Sequence, residues 1–235
     1  MSKEKPIIFS TPMVQALLNT KPGVWPPEPI DEGKPFKSQT RRAIKPQPEY
    51  LYGDGRRKSY KWEDGIFALD FYPKRTALLD YCPYKPGDIL WVRETFGIFN
   101  DEDEAVYLHY KADEGNPEKP KYFGKWKPSI FMPRKAARLF LEVKEVRVER
   151  LQDITEADAK AEGIAANCIA YDIEHCFTDE EIGCTACNKM NAVAFKKLWD
   201  TINAKRGYPW EDNPWVFVYE FIGSARRDYE RVQNG

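Results

Sequence analysis

Apolar residues along the 235-residue chain recur with two periods, and the expected elements follow from which period holds where. Alternation after the turn signal Pro86-Gly87-Asp88 predicts a strand. Its pleat puts Leu90, Val92, Glu94 and Phe96 on one face and Ile89, Trp91, Arg93 and Thr95 on the other. Shorter strands are predicted over Pro6–Phe9 and Ala105–Lys111, and a last one over Pro214–Phe221, where Trp215, Phe217, Tyr219 and Phe221 form a hydrophobic seam. The run after Arg138 changes phase: Leu139, Leu141 and Val143 set one face, Val146 and Val148 the other. Such a slip near Lys144-Glu145 predicts a β-bulge that bends the strand as a small barrel requires. Helical spacing appears at Val14, Leu17 and Leu18, after a cap at Ser10 or Thr11 with Pro12 in the first turn. Thr155 caps a short helix closed by Gly163. Phe195, Leu198, Trp199 and Ile202 form the core row of a helix over Met190–Lys205.

Composition bounds what these elements build. A hydrophobic share of 42% supports a sizeable core, and 18 prolines demand many loops, so a loop-rich α+β or mostly β protein is expected, with α+β the favoured class. The length suits one domain over residues 1–235, because single cores grow to roughly 250 residues. No apolar run reaches signal-peptide or membrane-span length, which predicts a cytoplasmic protein with no membrane partner. With 36 Lys and Arg against 37 Asp and Glu, the whole chain is no general binder of polyanions, so any such site is local. Nine cations lie between Lys34 and Lys61 with only Glu49 and Asp54 to oppose them, whereas Asp172–Glu181 is acidic.

Within that basic segment the run Lys37-Ser38-Gln39-Thr40-Arg41-Arg42 has no hydrophobic residue. Read as an exposed strand or turn, it holds phosphate through Arg41 and Arg42 while Lys37 and Thr40 meet a base or an acyl group. Read blandly, it is a solvated arginine-rich edge strand. Residues 46–80 interleave Tyr50, Tyr52, Tyr60 and Trp62 with cations, and read as a surface flap that either stacks on bases or anchors a long loop. Gln39, Arg93 and Trp62 complete the expected nucleic-acid-binding set with the two arginines. Glu94 continues an apolar row, so its carboxylate needs a partner, an arginine in the structural case. Cys168, Cys176, Cys184 and Cys187 are spaced C-x7-C-x7-C-x2-C. Four thiolates in a polar insertion can close a structural zinc site, with His175 as a substitute ligand and free thiols as the alternative.

The segments PIIFSTPM, K-x-x-T-R-R, YKPGDILWVRETF, PSIFMPRKAARLFLEV, FKKLWDTIN and NPWVFVYEF, in that order, resemble the ASCH proteins of the PUA-like superfamily, especially a subgroup encoded by phages and prophages. The resemblance implies a small mixed β-barrel with flanking helices, carrying insertions at 21–36, 46–80 and 164–189, the last Cys-rich. It implies binding of RNA, single-stranded nucleic acid, a nucleoside or a modified base. Some relatives are amidohydrolases acting on N-acylated cytidine through a lysine, a threonine three residues on and a glutamate on a following strand. Lys37, Thr40 and Glu94 match those positions, but Lys37 and Thr40 converge only if the chain turns between them. Other expectations are a ribonuclease, and a phage structural or interaction module whose zinc insert and acidic side bind a phage protein.

Overall fold

Glycine 87 takes φ 85°, a backbone setting open to glycine, and the predicted alternating strand begins two residues later. The structure is a computed structural model that describes residues 3–24, 26–31, 34–53, 57–62, 65–70, 79, 82–100, 106–114, 124–164 and 190–225. Its main elements are β1 Glu4–Ile8, α1 Thr11–Leu18, β2 Gln39–Ala43, β3 Glu49–Gly53, β4 Arg57–Trp62, β5 Gly65–Asp70 and β6 Ile89–Arg93. There follow β7 Phe96–Asn100, β8 Val106–Tyr110, β9 Leu139–Arg150, α2 Glu156–Ala161, α3 Met190–Asn203 and β10 Trp215–Ala225. The mixture is α+β.

Strands of the largest sheet hydrogen-bond in the order β1-β6-β9-β10-β2. Among the described residues this sheet is not closed into a barrel: β1 and β2 are the two ends of the strand order, and no ladder joins them. Contacts along the chain define two units, Met1–Ser38 with Pro86–Lys144 and Phe221–Gly235, and Gln39–Lys85 with Glu145–Glu220.

In the first unit β1 runs parallel to β6, and β6 antiparallel to β9. Leu90 and Val92 are buried while Ile89 and Trp91 are only half-covered, so the alternation sorts the strand as its sequence predicts. Helix α1 starts with Pro12 in its first turn, where a missing N–H costs nothing, and buries Val14 and Leu17. Strands β7 and β8 pair antiparallel, with Phe96 opposite Tyr110.

The second unit buries β10 on both faces. Val216 and Val218 pack with Phe195 and Trp199 of α3 and with Leu151, Ile154 and Ala159. Phe217 and Tyr219 occupy the other face, with ring centroids 6.1 Å apart. The helix therefore takes the valine side of the strand, and the aromatic seam lies opposite. Helix α2 opens on a complete capping box, Thr155 with Asp158, and Gly163 beyond its end has φ 87°. Residues 49–70, expected as a flap, include the three-stranded antiparallel sheet β3-β4-β5.

Candidate functional site

Five consecutive polar residues, Lys37 to Arg41, are buried, none above 7% exposure. This corrects the exposed and the solvated readings of the basic run alike. Residues 39–43 form β2 against β10, with Thr40 opposite Tyr219 and Arg41 opposite Val218. Ser38 keeps the same register, its carbonyl accepting a hydrogen bond from the Phe221 N–H at 2.9 Å. No turn separates Lys37 from Thr40, so the condition for their convergence is absent. Lys37 belongs to the first unit and Thr40 to the second.

In the first unit, Glu94 is 1% exposed and stands one residue past β6 in the Leu90–Val92 row. Arg138, just before β9, grips it as a fork: Nε donates to Oε1 and Nη2 to Oε2, each at 2.9 Å. The remaining nitrogen, Nη1, lies 2.9 and 2.8 Å from the two oxygens of Asp113. Tyr110 of β8 lies beneath the guanidinium, 4.0 Å from its ring centroid to Cζ, and its hydroxyl donates to the Ala136 carbonyl at 2.9 Å. Burial raises the Glu94 pKa above its ordinary range; Arg138 opposes the rise and the neighbouring charge of Asp113 adds to it.

Lys37 is a fully buried side chain of the same unit, at 0% exposure. Its backbone is fixed twice, the N–H lying 3.1 Å from both the Ala16 carbonyl and the Thr20 hydroxyl oxygen. Its Nζ stands 5.4 Å from the centroid of Phe9, a ring that tilts against Phe221. Arg93 is directed elsewhere: Nε donates to the Met132 carbonyl at 3.0 Å, and its guanidinium lies over Trp91.

In the second unit, the alternation of β2 separates its polar residues. Arg41 has a side chain of 0% exposure among three carboxylates, Glu149 at 3.2 Å, Asp158 at 3.3 Å and Glu162 at 3.3 Å. Arg147 joins the network through Glu149, Asp158 and Glu220, and Gln39 Nε2 donates to the Asp158 carbonyl at 2.9 Å. Thr155 and Arg41 together outweigh partial burial and hold the Asp158 carboxyl below its usual range. In this arrangement Arg41 and Gln39 serve the protein's own carboxylates. Thr40 and Arg42 face the other way, towards the side that carries Phe217 and Tyr219. Desolvation lowers the Arg42 pKa, opposed by Tyr84 and Glu162. Cys82 lies on Tyr219 as well, with Sγ 3.2 Å from the phenolic oxygen, and burial pushes the Tyr219 hydroxyl far up.

Trp62 closes β4, the middle strand of the small sheet. Cys168, Cys176, Cys184 and Cys187 lie outside the described residues. Sequence reasoning missed Arg138, Asp113 and the carboxylates around Arg41. Only Asp158 carried a local signal, as the third residue of a capping box. Comparison with family models, with curated proteins and with solved structures returns no match for this chain.

Proposed function

We propose that this is a PUA-like, ASCH-type protein that binds a nucleotide or single-stranded nucleic acid through the Lys37 and Glu94 region of its first unit. The observation that supports it is the burial of an ammonium and a carboxyl of one unit, at 0% and 1% exposure, on the positions that the family resemblance singles out. Ionisable groups are seldom buried so completely without a task, because desolvation costs several kcal/mol per ion, on the order of magnitude seen in folded proteins. The chemistry suits a base: Lys37 is a donor, Glu94 an acceptor when ionised and a donor when protonated, and Phe9 supplies an aromatic surface beside the ammonium. Arg138 holds the Glu94 plane, so the carboxyl is oriented before any ligand arrives.

Titration of labelled single-stranded RNA and DNA, and of nucleotides, at two salt concentrations tests the proposal. The wild type binds; Lys37→Ala and Glu94→Gln weaken binding by about tenfold or more, since a hydrogen bond to a charged group contributes roughly 1.5–3 kcal/mol. No binding at low salt, or binding unchanged by Lys37→Ala, overturns it.

The raised pKa of Glu94 favours a second reading, hydrolysis of N-acylated cytidine with Glu94 as the general acid–base group. N-acetylcytidine incubated with the protein is then deacetylated, and Lys37→Ala and Glu94→Gln abolish turnover. Survival of the substrate removes this reading and leaves the binding proposal in place. Thr40, carried by the other unit, has no assigned step in either.

A further inference from the structure

We propose that Phe131, Arg93 and Lys127, gathered around Met132 in the first unit, take the nucleotide next to the one at Lys37 and Glu94, so that the ligand is a single strand of nucleic acid rather than a free nucleotide. The inference rests on the binding reading given above. Met132 joins the two places. Its Sδ accepts from the Glu94 N–H at 3.2 Å and its carbonyl from Arg93 Nε at 3.0 Å. Phe131 is its chain neighbour, about 3.8 Å away between α-carbons. All of these residues belong to the same unit.

The short turn Ser129–Phe131 is anchored at both ends. Before it, Lys127 pairs with Phe96 through two backbone hydrogen bonds of 3.2 and 2.8 Å. After it, Met132 is fully buried with Phe96 and Ala136. Within it, the Phe131 N–H donates to the Pro128 carbonyl and the Met132 N–H to the Ser129 carbonyl, each at 3.0 Å. Ile130 and Phe131 are nevertheless 57% and 69% exposed, and Phe131 is the most exposed large hydrophobic side chain among the described residues. A single exposed ring on a loose loop needs no explanation, but one held fixed beside a buried carboxyl is organised before a ligand arrives.

The charges nearby point to the ligand's sign. Between Gly124 and Arg138 the sequence has five cations and no acidic residue. Arg134 is matched by Glu4, and Arg138 by Glu94 and Asp113. Lys127 is exposed and makes no ion pair among the described residues. Arg93 is oriented by its Nε bond and by Trp91, whose ring centroid lies 5.3 Å from Cζ, while its Nη1 and Nη2 engage no partner among the described residues. Two donors of a fixed guanidinium suit a phosphate, and an exposed ring suits a base of any identity. A duplex keeps its base faces stacked on one another and offers none to Phe131. The partner is therefore a single strand, RNA or DNA.

The test is anisotropy of fluorescein-labelled U12 and dT12 at two salt concentrations, on the full chain, beside calorimetric titration of UMP and dTMP. At least one oligonucleotide is expected to bind about tenfold or more tighter than its mononucleotide, and Phe131→Ala to close that gap. Phe131→Tyr keeps it and Phe131→Leu loses it, because stacking needs a ring face and not apolar area alone. Phe131 faces solvent, so these changes leave the core intact. Arg93→Gln and Lys127→Gln each weaken oligonucleotide binding at low salt and lower the salt slope by about one phosphate contact. Oligonucleotide affinity that Lys37→Ala lowers but that Phe131→Ala and Arg93→Gln leave intact overturns this proposal and spares the reading above. Mononucleotide binding with no gain for U12 or dT12 does the same. Oligonucleotide binding lowered by Phe131→Ala and Arg93→Gln but unmoved by Lys37→Ala overturns the reading above and with it the shared strand. Failure of both oligonucleotides to bind at low salt overturns the proposal outright, and co-sedimentation with phosphatidylserine vesicles that Phe131→Ala abolishes would then make the turn a lipid contact.

Discussion

Glu94 and Arg138 meet as a fork, two parallel hydrogen bonds of 2.9 Å between residues 44 apart in sequence. The same guanidinium serves Asp113, so two carboxylates share one cation. Burial, not repulsion alone, sets the direction of the Glu94 shift.

Observation of the Glu94 carboxyl carbon by NMR during a pH titration is expected to show a midpoint above the ordinary 4.5. Asp113→Asn removes a like charge and lowers the midpoint; Arg138→Gln removes the opposing cation and raises it. Because the folded pKa is raised, the contribution of Glu94 to stability is full below its ordinary value and is lost as pH rises through the folded midpoint. A midpoint that rises in Asp113→Asn contradicts the shared-cation arrangement.

Arg41 is predicted to be a structural residue. Arg41→Ala leaves Glu162, itself 3% exposed, without the cation 3.3 Å away. Loss of one partner from a buried ion pair costs about 3–5 kcal/mol, so chemical denaturation should show a loss of that order. A loss below about 1 kcal/mol, the size of a surface pair, would mean the cage is open to water.

The Thr155 and Asp158 box gives a prediction with a pH sign. Thr155→Ala is expected to cost about 1 kcal/mol, read from the shift in denaturation midpoint. Asp158 has a lowered folded pKa, so its stabilising contribution is present above the ordinary 3.8 and is lost as pH falls through the folded value. In Asp158→Asn, thermal stability should fall less steeply on acidification than in the wild type.

For the cysteine insertion the expected outcome is about one zinc per chain in the purified protein, released by a strong chelator. Cys184→Ser and Cys187→Ser should each reduce the metal content. Full-length protein prepared under reducing conditions without zinc, and free of it by elemental analysis after zinc is added back, would leave the cysteines as thiols.

What the sequence made legible were contacts along one element. The period-2 row through Leu90, Val92 and Glu94 placed a carboxylate inside, and the row Phe195–Trp199 placed the helix face in the core. The sequence could also say that Glu94 needs an arginine. It could not say which, because Arg138 arrives from another element and pairing across 44 residues leaves no local pattern. The basic run was misread for the same reason: the carboxylates around Arg41 come from positions 108 to 121 residues away, so the charge looked unopposed along the chain. In residues 49–70 the pattern was present, since RKSYKW alternates around Tyr60, but its cations suggested a loop and the cross-strand partners were needed to reveal a sheet.

Strand β9 exposes two neighbours in succession, Lys144 and Glu145, while Val143 and Val146 on either side are buried. The chain there is constrained in length and free in identity. Exchange of either residue for another polar one alters little, since both meet water. Removal of either would rotate everything downstream by one step, turning Val146 and Val148 outward and Arg147 inward. Among sequences descended from this one, that pair of positions should therefore vary widely in letter and hardly ever in number.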